Sequence, residues 1–383
     1  TPQARAALVA SLNQLAVAAV ADLKLDDAAA RLDRAVELAP KDTRSARNRA
    51  ALAITRGHPE IALAVLDRAG GTDPALLRLR GRALAMTGKR EPARASYRRA
   101  LATATGALAG EIAADAGALA LAAGDVDEAI ELLGKAGAAP APFAAAARAD
   151  LALARCRRGV ARLTAGKHKE ALADLAETAG LQGNDAAACR FAGALAHLAA
   201  GDAKAASKLL DGLAPGPWLK APYDRGGLVL VSAYADYRRG AEGKAARALA
   251  TLVRGKGPLA DQARALQSAA YEAVAYEQAT AGKLAAARAS LARAARHAPA
   301  GRKPIIEHNR IALQLTRGNP ARYRAALKKM GANPPEALVN LGLIADLTGN
   351  PARALALWRK ARAAGANSGD LGTWIERKQA VLE

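Results

Sequence analysis

The chain has 383 residues, with 56 Lys and Arg against 35 Asp and Glu, giving a formal net charge of +21 and a pI near 10.4. Aromatic residues make up only 3%, so a core has to be built from Ala, Leu and Val. Two cysteines are too few for a disulfide-rich scaffold. No run of five consecutive basic residues occurs, which argues against a detachable basic tail; the charge is spread along the chain and points to nucleic acid, anionic lipid or an acidic protein surface as partner classes.

In chain order, one spacing recurs: a Gly, an Ala five residues later, a bulky apolar residue at nine and a small or apolar residue at twelve. Leu23 holds the Gly place in the first copy, through Ala28, Leu32 and Ala35. Gly57 opens a looser second copy, and Gly88-Ala93-Tyr97-Ala100 and Gly124-Ala129-Leu133-Ala136 are sharp. Gly166, Gly201 and Gly240 head looser copies. Gly282-Ala287-Leu291-Ala294, a looser copy at Gly318, and Gly349-Ala354-Trp358-Ala361 complete ten. Successive landmarks lie 31 to 42 residues apart, near the ~34-residue period of helix-turn-helix repeats. Each Gly is placed to end a first helix in the left-handed conformation. Asp26, Asp125 and Asp202 are candidate N-caps of second helices, and Pro59, Pro320 and Pro351 fit their first turns. Pro40, Pro74, Pro140 and Pro299 are read as ending second helices. Seven residues before the landmark stands a small residue, Ala50, Gly81, Gly117, Gly159, Ala194, Ala275 or Gly342, where two helices would approach closely.

Together these residues resemble the tetratricopeptide repeat (TPR) family, with Asn340-Leu341-Gly342 through Gly349-Asn350-Pro351 to Ala361 as a good single copy. The aromatic of the family's first helix is often replaced here by Ala, Leu or Arg. The resemblance implies an all-α, right-handed superhelical solenoid of antiparallel helix pairs, with first helices lining a concave groove for peptides or helices, and it implies no enzyme activity. Residues 1–383 are read as one solenoid. The Pro- and Gly-rich run 212–227 is a hinge or long inter-repeat loop, and shorter breaks fall at 298–304 and 331–335. Residues 370–382 read as a capping helix, with Leu371, Ile375 and Leu382 toward the stack and Glu376, Arg377 and Lys378 outward.

Counting the landmark Gly as position fifteen, the family's groove positions are two, five, six, nine, twelve and thirteen of each first helix. They select Arg44, Arg47, Asn48, Arg78 and Arg82 in the second and third repeats, and Phe191, Leu195, Leu230, Tyr234, Tyr237 and Tyr276 in the sixth to eighth. The expected groove has a basic amino-terminal half suited to carboxylates and an aromatic middle suited to apolar anchors. The competing readings are a solvated basic face and inter-helix packing of the tyrosines. Of the family's carboxylate-holding Lys and Asn set, only Asn48 has a counterpart, since Ala75 and Leu79 stand where basic residues belong.

No catalytic, metal or cofactor motif is present. His58, His168, His197, His297 and His308 fall in five different repeats without a ligand partner, and no phosphate loop or nucleophile elbow occurs. The expectation is a non-enzymatic scaffold or adaptor without cofactors, gripping a protein or peptide partner of acidic and apolar character. A bacterial periplasmic or envelope assembly of pilus, secretion or gliding type is the expected setting. The alternatives are a binder of nucleic acid or an anionic surface, and a cytoplasmic peptide-sensing regulator. No segment reads as a membrane span. Thr1 in place of Met points to a processed product or a fragment. Cys156 and Cys189 lie in adjacent first helices and are read as buried free thiols, with a bridge open to them if their Cα atoms fall within about 7 Å.

Overall fold

The fold is described from a computed structural model, for residues 1–138, 142–178, 181–219, 224–315, 335–366 and 371–382. Among these residues the chain is helical throughout, without a strand. Helices run in pairs: α1 (Pro2–Ala21) with α2 (Leu25–Leu38), α3 (Thr43–Thr55) with α4 (Pro59–Ala69), α5 (Pro74–Met86) with α6 (Arg90–Leu101), α7 (Gly106–Ala123) with α8 (Val126–Gly137), and α9 (Ala144–Thr164) with α10 (His168–Ala176). Then come α11 (Gly183–Ala199) and α12 (Ala203–Leu210), α13 (Arg225–Arg238) and α14 (Glu242–Ala248) with a 3₁₀ turn at Leu252–Arg254, and α15 (Pro258–Thr280) and α16 (Leu284–His297). The series closes with α17 (Lys303–Leu315), the pair α18 (Pro335–Leu347) and α19 (Pro351–Ala363), and α20 (Leu371–Leu382). These are antiparallel pairs of the TPR-like type. The copy headed by Gly318, Pro140, Pro320 and most of the break at 331–335 lie outside the described residues.

The landmark glycines close the first helices as the spacing predicts: Gly57, Gly88, Gly124, Gly166, Gly201, Gly240, Gly282 and Gly349 all have positive φ. Leu23 occupies the same place with φ 60°, and no other non-Gly residue among those described is left-handed. Its side chain is 83% exposed, so no packing offsets the strain of an L-residue in this region. We expect Leu23→Gly to raise stability by about 1 kcal/mol, the left-handed penalty less the added chain entropy of Gly, as a higher midpoint in urea unfolding.

Capping differs in detail from the sequence expectation. Asp202 does cap α12, accepting from the Ala205 N–H at 2.9 Å. Asp26 instead lies inside the first turn of α2 and pairs with Arg56. Asp125 stands at the cap position of α8 with its carboxylate turned to Arg94. Pro74 does not end a second helix but opens α5, behind the cap Asp73. In α20, Leu371 and Ile375 are buried as expected, whereas Leu382 is exposed and Lys378 pairs with Asp346 of α18 at 2.6 Å.

Two compact units divide the chain, Thr1–Ala196 and His197–Glu383; of the run 212–227, which falls in the second, 225–227 belong to the first turn of α13 and 220–223 lie outside the described residues. In the first unit, each cluster of buried side chains joins one helix pair to the next first helix. Ala16, Ala28 and Leu32 meet Leu52, while Val65 and Leu66 meet Leu76 and Ala83. Tyr97 meets Ile112 and Ala116, and Leu133 meets Ala147 and Ala154. The second unit repeats the scheme with Leu249 against Ala263, Leu291 against Ile306, and Trp358 against Leu371 and Ile375. Nearest-neighbour packing of this kind lets an Ala-rich sequence form a core without large side chains.

The expectation of free thiols is also overturned. Cys156 of α9 and Cys189 of α11 form a disulfide, their Cα atoms 5.7 Å apart. The thiols fall 33 residues apart, about one repeat, on neighbouring first helices, and that spacing sets them face to face. By length and apolarity alone, Pro2–Ala21 and Gly106–Ala123 are sufficient to cross a membrane. In α7 that apolarity is used in packing, since Ile112, Ala113, Ala120 and Leu121 are buried and Glu111 and Asp115 are ion-paired to Arg78.

Candidate functional site

In the first unit α1, α3, α5, α7 and α9 pack on one another in succession, leaving each with one face that its second helix does not cover. Two of the positions selected by the register, Asn48 and Arg78, make contacts between neighbouring first helices. Asn48 donates to Asn13 Oδ1 at 2.9 Å, and Asn13 Nδ2 donates to Ser45 Oγ at 2.7 Å, tying α3 to α1. Arg78 reaches from α5 to α7, where its Nε donates to Asp115 Oδ2 at 2.6 Å and its Nη1 to Glu111. Tyr97, whose ring fills the notch at Gly81, lies behind this cluster. Burial, and then the Asp115 charge, push its phenol well above the usual range.

These contacts change the character of the expected basic half. Arg78 is neutralised by two carboxylates and Asn48 is committed to its network. Arg44, Arg47 and Arg82 are exposed and have no ion pair among the described residues. Glu111 and Asp115 had gone unremarked as site residues, although they occupy positions two and six of the fourth repeat in the same register. The face is therefore of mixed sign, with three free guanidinium groups.

Apolar residues on this face were also missed. A cleft of about 260 Å³ runs between α1, α2 and α3, lined by Ala16, Val17, Val20, Leu25, Leu32, Ala51 and Leu52, with Asn48 and Thr55 at its edge. Val17, Val20, Met86 and Val160 are each at least 40% exposed at positions nine, twelve or thirteen of their helices. The groove residues named from the sequence are chiefly Arg and aromatic, with Leu195 and Leu230 as the aliphatic ones, and these four occupy further positions of the same count.

The expected aromatic middle divides between the units. In the first, Phe191 is buried at 6% exposure and serves the core, and Leu195 is half-buried. In the second, Leu230 and Tyr237 are half-buried against Ala233, Leu249 and Ala263, a packing role. Tyr234 and Tyr276 are exposed at position nine of α13 and α15, helices that touch each other. Arg238 lies 5.7 Å over the Tyr234 ring and donates to its hydroxyl at 2.8 Å. The second unit thus presents two tyrosines and a stacked guanidinium rather than a continuous aromatic wall.

Among the described residues no group of three or more His, Cys, Asp or Glu is arranged to hold a metal ion. The buried His308 is held neutral: burial depresses its pKa to about 4, and its Nε2 lies 2.5 Å from the Asn340 amide of α18. This pair joins positions five and six of successive first helices, as Asn13 with Asn48 and Arg78 with Asp115 do, which makes it a structural tie.

No protein-family model matches the chain, and no curated protein matches it. Among solved structures it is similar to pilF of Pseudomonas aeruginosa, at 15% identity over 54% of this chain and 90% of that one, with a TM-score of 0.41. It is also similar to YrrB, a TPR protein with an unusual peptide-binding site, at 18% identity over 47% and 89% of the two chains and a TM-score of 0.37. The TPR domain of P58(IPK) is matched at 16% identity over 98% of both chains, with a TM-score of 0.29. At this distance the matches carry no argument about the site, which rests on the geometry above.

Proposed function

We propose that the chain is a non-catalytic scaffold that holds a peptide or helix of a protein partner against the uncovered face of its first helices. One observation carries this reading. Of the twelve large hydrophobic residues exposed among those described, seven fall at the groove positions of first helices: Val17, Val20, Met86 and Val160 in the first unit, and Tyr234, Tyr276 and Leu347 in the second. Scattered exposed apolar residues need no explanation, but concentration at the groove positions within each unit marks an interaction surface. The exposed Arg44 and Arg47 on α3, a helix that also lines the apolar cleft, and the exposed Arg82 on α5 favour a partner segment that combines apolar anchors with carboxylates.

An exported, envelope-associated setting, in an assembly of pilus, secretion or gliding type, is supported by the Cys156–Cys189 bond, because such bonds persist in oxidising compartments such as the periplasm. A polyanion is a weaker fit, because Arg78 is taken up by Glu111 and Asp115 and only Arg44, Arg47 and Arg82 remain unpaired on the first unit's face. The test is a pull-down at low and moderate salt, comparing the wild type with Val17→Asp/Val20→Asp and with Arg44→Glu/Arg47→Glu. We expect one stoichiometric protein partner and a loss of affinity of roughly tenfold or more in each variant, with unchanged helix content. Recovery dominated by nucleic acid that washes off with salt, or full binding by both variants, would sink the proposal.

A further inference from the structure

The two units do not share the chain's charge equally. The first, 1–196, holds 27 Lys and Arg against 21 Asp and Glu, while the second, 197–383, holds 29 against 14. The second helices account for much of this difference. In the first unit α2, α4, α6, α8 and α10 carry 9 basic and 12 acidic residues; in the second, α12, α14, α16 and α19 carry 11 basic residues and one acid, Glu242. A chain-wide preference for Arg would raise the basic count in both units alike, whereas here carboxylates are withheld from one set of helices. Between 278 and 369 the three carboxylates, Glu307, Glu336 and Asp346, all fall on the first helices α17 and α18.

The cations of these helices point away from the core. Ala203, Ala206 and Leu210 of α12, Ala245 and Ala246 of α14, and Ala287, Leu291 and Ala294 of α16 are buried; Lys204, Lys208, Arg247, Arg288 and Arg296 are exposed on the other side. None of the five has an ion pair among the described residues. Both α14 and α16 pack on α15, and Lys204 and Lys208 share a recess of about 540 Å³ with Lys244 of α14, so the three helices present one surface. The carboxylates of that recess, Asp202 and Asp211, stand at the two ends of α12, and the buried Asp236 takes up Arg239 and Lys244. At the end of α16, burial and then the charges of Arg264 and Arg296 hold His297 below its usual pKa.

No large hydrophobic residue is exposed on α12, α14 or α16. The surface therefore offers neither the apolar anchor that centres a protein interface nor an aromatic ring on which a base could stack. Spread cations on long side chains match a spread negative charge instead. We propose that the outer surface of α12, α14 and α16 docks on an anionic lipid bilayer, leaving the first helices of that unit free to meet a protein partner. The choice of a bilayer over duplex nucleic acid rests on the exported setting proposed above. With no apolar side chain to insert, the attachment is electrostatic, reversible and screened by salt.

Co-sedimentation of the full chain with vesicles tests it. Binding is expected to phosphatidylcholine–phosphatidylglycerol vesicles at low salt, to fall steeply at high salt, and to be absent with phosphatidylcholine alone. Each cation near such a surface is worth roughly fivefold in affinity, so Arg247→Gln/Arg288→Gln/Arg296→Gln should weaken binding on the order of a hundredfold. Arg90→Gln/Arg98→Gln/Arg99→Gln removes the same net charge from exposed sites on α6 of the first unit, and should change binding by less than about threefold. Unchanged helix content verifies that both variants fold. Absence of binding to the mixed vesicles, equal binding to phosphatidylcholine alone, or equal losses in the two variants would overturn the proposal. So would tighter binding to duplex DNA than to the vesicles, weakened by the α14 and α16 substitutions, which would reassign the surface to nucleic acid. The exported setting fails separately: reduced Cys156 and Cys189 in protein taken from its native cells would withdraw that setting and leave the vesicle result standing.

Discussion

Replacing both Cys156 and Cys189 with alanine is expected to lower the stability of the first unit by about 4 kcal/mol. The bond closes a loop of 33 residues, and the loss of unfolded-chain entropy for a loop of that length is of this size. Its position should concentrate the effect. Cys156, Ala171, Leu175, Cys189, Ala192 and Ala196 form one buried cluster joining α9, α10 and α11, which is the last cluster of the unit. The double alanine variant changes little side-chain volume, so the measured difference reports the crosslink rather than a cavity. Urea unfolding followed by helix signal, with amide exchange to locate the change, is the measurement. Protection should fall across α9 to α11 and stay the same in α19 and α20. Equal midpoints for the wild type and the variant would mean that the two sulfurs act only as core hydrophobes. Because both cysteines are buried, at 5% and 3% exposure, native-state reduction should be slow and limited by opening of this cluster.

The fold was legible because its signals are local and repeated. A left-handed Gly, an Ala that must be small and a bulky residue that fills a notch each act within one helix pair, so counting from the Gly finds them. The same count identified Leu23 as a stand-in for Gly, and the backbone there takes the Gly conformation. What the count did not show is how side chains are shared between neighbouring repeats. Arg78 reads as a free groove cation until α7 is placed beside α5 and brings Glu111 and Asp115 to it. Asn48 reads as a ligand donor until Asn13 is seen 35 residues before it, one first helix away. Cys156 and Cys189 are separated by a comparable step, and a bridge depends on how far the intervening second helix displaces the next first helix, which no residue type encodes. Phe191 shows a related limit: at position five of α11 it is buried, as Asn13 and His308 are at the same position of α1 and α17, so in these helices the position faces the neighbouring helices whatever residue fills it.

Trp358→Ala should cost about 4 kcal/mol, the largest loss expected from a single substitution in the second unit. The indole is 2% exposed among Val339, Leu355, Leu371 and Ile375, donates to the Val339 carbonyl at 3.0 Å and lies 5.7 Å from the Trp374 ring. It fits there because Gly342 has no side chain: a Cβ at that position would collide with the indole Nε1 and Cδ1. Gly342→Ala is therefore expected to destabilise by about 2 kcal/mol through overpacking, although Ala is the better helix former by about 1 kcal/mol. The two positions should be coupled. Where the first-helix residue is Ala in other pairs, as at Ala50, Ala194 and Ala275, the residue sixteen later is Leu66, Leu210 or Leu291, a smaller knob for a shallower hole. Gly342→Ala combined with Trp358→Leu recreates that combination, and the double variant should be more stable than the sum of the two single losses by about 1 kcal/mol or more. Thermal unfolding of the four proteins in a double-mutant cycle measures this directly. Strict additivity would show that the notch at Gly342 and the indole that fills it are independent, and the close approach of paired helices would then need a different physical cause.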